Sequence, residues 1–70
     1  MFKVFRITYD GTVDFSYAKE SFHSKESAME YADKRARDSA LCMFDCARGY
    51  AVYEEKDGQL KHVATFLRPE

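Results

Sequence analysis

One row of small residues constrains this chain more than any other feature. Between Ser24 and Ala47, the residues Ala28, Ala32, Ala36, Ala40, Met43 and Ala47 recur at steps of three and four. That spacing puts them on one narrow face of an α-helix. Glu30, Asp33, Lys34, Arg37 and Asp38 fall between them and make a charged, solvated face. A ridge of methyl groups lets a helix lie close to whatever covers it. The bulk of the core then has to come from the flanking segments.

Local chemistry agrees with a helix from Ser24 onward. Ser24 is placed to act as N-cap, its hydroxyl accepting from a backbone N–H of the first turn. Glu26 lies in that turn, where the helix dipole favours negative charge. Phe22 precedes the cap and is positioned to fold back onto the helix. Glu30–Lys34 and Asp33–Arg37 are four apart with the acid first, each pair contributing about 0.2–0.5 kcal/mol. No Gly or Pro interrupts the run. Arg48-Gly49 reads as the stop, with Gly49 in the left-handed C′ position and Tyr50 following at C″, within reach of Phe44. An end near Leu41, with Leu41-Cys42-Met43-Phe44 opening an extended segment, also fits the pattern.

The flanks read as strands. Residues 2–9 alternate, with Lys3, Phe5, Ile7 and Tyr9 on one side and Phe2, Val4, Arg6 and Thr8 on the other. Residues 12–19 alternate again. Parity selects the loop between them. A two-residue Asp-Gly loop would set Ile7 opposite Asp14, whereas a three-residue loop Tyr9-Asp10-Gly11 gathers Phe5, Ile7, Val13 and Phe15 on one face. The second choice requires Gly11 in the left-handed region. Residues 50–55 and 59–67 form a second hairpin around Lys56-Asp57-Gly58. Its register stays open: a two-residue turn sets Glu54 beside Lys61, and a three-residue loop sets Glu54 beside Leu60.

The predicted order is β-β-α-β-β, an α+β fold of one domain spanning residues 1–70, with the helix on one face of a four-stranded antiparallel sheet. A strand order of 2-1-3-4 makes every neighbouring pair antiparallel and buries the more apolar strands in the middle. The order 1-2-4-3 also satisfies the chain path. Six Phe and five Tyr supply the core of a small domain that has no Trp. The net charge of −1, with acids and bases interspersed, provides no field for steering onto nucleic acid or an anionic membrane. No apolar run reaches the ~20 residues of a membrane span. Met1 leads directly into strand-like sequence, so a cytoplasmic protein is expected.

The residues with chemistry are few. Cys42 and Cys46 are four apart and, with His23 or His62, could form a metal or redox group. They make no Cys-x-x-Cys knuckle, and buried thiols acting as small hydrophobes are the simpler reading. The three glycines are separate turn or cap residues, so no phosphate loop is present. Lys34, Arg35, Arg37 and Arg48, with Lys3, Arg6 and Lys61 elsewhere, could form a nucleic-acid patch, but Glu30, Asp33 and Asp38 are interleaved on the helix. Phe2, Tyr50 and Tyr53 are the aromatics to consider for stacking on bases from an open sheet face. No catalytic set, cofactor or metal is expected.

In its size and β-β-α-β-β order, the chain resembles many small phage and mobile-element proteins, among them some anti-CRISPR inhibitors. The resemblance covers most of the chain as layout and carries no motif. It implies a non-enzymatic protein that binds and modulates a larger protein or nucleoprotein. Candidate contact residues, read from the charged faces, are Glu30, Asp33, Lys34 and Arg37 on the helix and Glu54, Glu55 and Asp57 at the second hairpin. Homodimerisation through the uncovered sheet face is compatible with this reading. A nucleic-acid-binding module using that face, and a metal or redox protein using Cys42, Cys46 and His62, are the alternatives.

Overall fold

The computed structural model describes residues 1–38 and 47–68. The chain runs β1 (Phe2–Thr8), β2 (Val13–Phe22), α1 (Lys25–Arg37), β3 (Ala47–Lys56) and β4 (Gln59–Leu67). The strands make one sheet in the order β2-β1-β3-β4, every neighbouring pair antiparallel. This is the 2-1-3-4 arrangement favoured by the sequence; the order 1-2-4-3 is not adopted. The two strands that carry fully buried residues, β1 and β3, occupy the centre.

The first hairpin closes as parity requires. Gly11 N–H donates to Thr8 O at 2.9 Å, Thr8 N–H donates to Thr12 O at 2.9 Å, and Gly11 has φ +91°. The loop is therefore Tyr9-Asp10-Gly11, with Ile7 opposite Val13. Asp10 organises it by accepting from the Thr8 hydroxyl, from Thr12 N–H at 3.0 Å and from the Thr12 hydroxyl at 2.8 Å. The second hairpin takes the two-residue turn. Asp57 (φ 54°) and Gly58 (φ 76°) are both left-handed, Lys56 faces Gln59, and Glu54 faces Lys61. Two positive φ values in succession are the mark of the type I′ turn that matches strand twist.

The alanine ridge sits as the sequence requires. Ala28 and Ala32 are 0 % exposed and Ala36 is 1 % exposed. They pack on Val4, Tyr50 and Val52, with Phe2, Phe22, Met29, Tyr31, Val63 and Phe66 around the margin. Ser24 caps the helix, its Oγ accepting from Ser27 N–H at 3.4 Å. Phe22 lies against Tyr31, with ring centroids 5.3 Å apart.

The helix is shorter than the periodicity suggests. Asp38 is its C-cap, in an extended conformation, and Lys34, Arg35 and Arg37 supply cations to the last turn. Ala40, Met43 and an end near Leu41 lie outside the described residues. Ala47, Arg48 and Gly49 belong to β3, not to a helix terminus. Ala47 does face the core, but from the sheet. Gly49 lies outside the left-handed region; its backbone runs against β4 so closely that a Cβ there would meet Phe66 O at 2.2 Å. The missing side chain serves strand approach, not helix termination. Tyr50 is correspondingly a buried strand residue rather than a C″ residue.

Candidate interaction surface

The helix covers one face of the sheet, and the register identifies what the other face carries. Val4 pairs with Val52 and Arg6 with Tyr50, so the even positions of β1 and β3 look toward the helix. The odd positions look away: Lys3, Phe5 and Ile7 on β1, and Gly49, Ala51, Tyr53 and Glu55 on β3. The bulge at Val63 brings Leu60 and His62 onto the same side as Thr65 and Leu67. The apolar set Phe5, Ile7, Val13 and Phe15 does share a face, but it is the face without the helix. The alanine ridge is instead met by Phe2, Val4, Tyr50 and Val52.

This outer face has its own apolar layer. Phe5, Phe15 and Tyr53 form a triangle of edge-on rings with centroid separations of 5.1–5.8 Å. His62 extends it, edge-on to Tyr53 at 5.3 Å, and its Nε2 lies 2.7 Å from Thr65 Oγ1. Phe5, Ile7 and Ala51 on this face are almost fully buried. The layer nevertheless leaves large apolar side chains in water. Phe15 is 52 % exposed, Leu60 41 % and Leu67 54 %, and Tyr9, in the turn after β1, is 50 % exposed. Among the described residues, no large hydrophobic of the helix is comparably exposed.

Phe15 is held up by an irregular edge. Between the pairs Arg6–Asp14 and Phe5–Ala18, residues 15–17 have no partner on β1 and bulge outward. Asp14 fixes the start of the bulge: it accepts from the Ser16 hydroxyl, from Ser16 N–H at 3.0 Å, and from the Arg6 guanidinium at 3.0 Å. Those bonds, led by the Ser16 hydroxyl, hold the Asp14 carboxyl below its ordinary range. The hydroxyl and N–H donors of Thr8 and Thr12 push the Asp10 carboxyl down to about 2. Both acids of the first hairpin are thus engaged in shaping it.

Charge on the outer face is largely internally matched. Lys3 Nζ lies 3.0 Å from the Glu55 carboxylate. Arg68 stacks over the Tyr9 ring at 5.6 Å, and its NH1 donates to Tyr9 OH at 3.2 Å.

The charged candidates from the sequence fall into separate places. Glu30 and Lys34 line a shallow hollow of about 280 Å³ with Ser27 and Tyr31 on the outer side of the helix. Asp33 is paired with Arg37 at 2.9 Å. Glu54 and Asp57 border a second hollow, of about 580 Å³, together with Lys56, Gln59, Leu60 and Lys61. Both signs of charge are present there, so the second hairpin tip is mixed in charge. Glu55 points to the other face, toward Lys3. Of the aromatics considered for base stacking, Tyr50 is fully buried and Phe2 packs on the helix-side core; Tyr53 alone of the three is on the outer face. Cys42 and Cys46 lie outside the described residues. His23 is exposed ahead of the helix, in another part of the molecule's sequence and fold from His62 on the edge strand.

Phe15, Leu60, Leu67 and Tyr9 were not singled out as contact residues by the sequence. The odd-position row in residues 3–15 was the available signal, but it reads equally well as core until the helix is assigned to the even face.

No protein-family model, curated protein or solved structure matches this chain. Among the described residues, no helix is long and apolar enough to cross a membrane.

Proposed function

We propose that this chain is a non-enzymatic cytoplasmic interaction protein that binds a protein surface through the sheet face opposite its helix. The observation that carries this reading is the placement of exposed Phe15, Leu60 and Leu67 on that face. Large apolar side chains left in water on one shared face are characteristic of contact sites. An aromatic residue with a polar tip, such as Tyr53, suits a surface that is wet when free and covered when bound.

Matched charge favours a protein over nucleic acid as the partner. Phosphate binding uses cations that are available to release counterions. Here Lys3 is engaged by Glu55 and Arg68 is stacked on Tyr9. By its layout, the proposal extends to a modulator of a larger protein or nucleoprotein, of the kind found among phage and mobile-element proteins, including anti-CRISPR inhibitors.

Affinity capture from the organism of origin, comparing wild type with Phe15→Ser and Lys34→Ala, tests the reading. A stoichiometric partner retained by Lys34→Ala and lost by Phe15→Ser is expected. A partner lost by Lys34→Ala and retained by folded Phe15→Ser would move the contact to the helix and refute the proposal.

A further inference from the structure

We infer that the open sheet face pairs with a second copy of this chain, giving a helix–sheet–sheet–helix dimer. This inference rests on the reading of that face as the binding surface and names its occupant.

Area is the first argument. The longer dimensions of the chain are 35 and 22 Å and its thickness is 15 Å. The sheet fills much of the broad side, since strands of 7 to 10 residues run about 23–33 Å and four strands span roughly 15–19 Å. The flat footprint is on the order of 600 Å², and the relief of its protruding rings raises the accessible area toward the ~800 Å² per partner of a standard interface. The face is therefore large enough for a stable dimer without any added segment.

Charge is the second. A surface that meets a copy of itself must not repel itself. The Lys3–Glu55 pair is neutral as a unit, and Arg68 is laid flat on Tyr9. The chain as a whole carries −1. A strongly acidic or basic partner would find little to complement here, whereas an identical apolar face would find a match. Two such sheets pack about 10 Å apart with strands aligned to within roughly 30°, their side chains interdigitating. Phe15, on the bulged stretch of β2 and half-exposed, is a ring available to insert into the opposite layer. Self-pairing and binding of a different protein would use one surface and so exclude each other.

Sedimentation equilibrium at high micromolar concentration tests this. Wild type is expected at twice the single-chain mass of 8.2 kDa. Phe15→Asp should return it to one chain mass, weakening association on the order of 30-fold or more, the loss typical of a central aromatic contact. Lys34→Glu on the helix should leave the dimer intact. Phe15 also touches Phe5 and Tyr53, so Leu67→Asp provides a second variant, and amide shifts of wild type on dilution provide a measurement free of mutation. Shifts confined to residues around Phe15, Leu60 and Leu67 support the inference. A wild-type protein of one chain mass overturns it, as does a dimer that survives folded Phe15→Asp and Leu67→Asp. A monomer would not by itself refute the binding-surface reading, which the Phe15→Ser capture experiment decides independently.

Discussion

Gly49→Ala isolates one packing feature of the sheet with a single methyl group. A Cβ on Gly49 would stand 2.2 Å from Phe66 O and 2.8 Å from Leu67 Cα. Both are backbone atoms of β4, held in the ladder with β3, so no flexible side chain can move aside. Restoring ordinary contact needs a displacement on the order of 1 Å between neighbouring strands. Overpacking of this kind costs about 1–3 kcal/mol, and the rigid neighbours place it near the upper end. For a domain of this size, the loss lowers Tm by on the order of 10–20 °C.

The assay is urea unfolding followed by circular dichroism, with Gly11→Ala as the comparator. Gly11 has φ +91° and open space around it, so its substitution meets only left-handed strain, about 1–2 kcal/mol. Gly49→Asn separates two accounts of the same residue. A left-handed helix cap would tolerate Asn, whereas a close strand approach makes Asn at least as damaging as Ala. A Gly49→Ala stability within 0.5 kcal/mol of wild type would refute the packing argument.

Other outcomes follow from the same structure. Ala32→Leu should destabilise by about 1–3 kcal/mol because it lifts the helix off Val4 and Val52, while Ala substitution of exposed Lys34 should change stability by less than ~0.5 kcal/mol in the same urea assay. Asp57→Val places a β-branched residue at φ 54° and should cost about 1–2 kcal/mol, with Asp57→Gly tolerated, by thermal unfolding. Asp10 has its carboxyl pushed from 3.8 down to about 2. Its ionised form is favoured by folding, so its contribution is fully present above pH 3.8 and is lost as pH falls toward 2. An NMR carboxyl titration should find it among the most acidic side chains, and Asp10→Asn should flatten the stability-versus-pH curve over that window.

Much of this architecture is legible in the residues because several local rules point the same way. Alanine spacing, the Ser24 cap and the Asp33–Arg37 pair agree on the helix, and the parity of residues 2–15 agrees with a three-residue loop at Gly11. Three features resist reading. Periodicity cannot stop a helix when small residues continue past it: Ala47 is as suitable beneath a helix as within one, and it belongs to β3. Gly49 looks like a cap because the crowding that requires it comes from Phe66, 17 positions away and visible only after β3 and β4 pair. The face of β1 that meets the helix is not distinguished by hydrophobicity, since Phe2 and Val4 on one side balance Phe5 and Ile7 on the other. The exposed aromatic layer is therefore visible only from the register.

Site-specific photo-crosslinking tests the central claim most directly. A benzophenone side chain introduced at position 15, on the β2 side of the outer sheet face, is compared with one at position 34 on the helix. A discrete adduct from position 15, with either a second copy or a larger protein, is the predicted result. Absence of any adduct from position 15, with a discrete one from position 34, would contradict it.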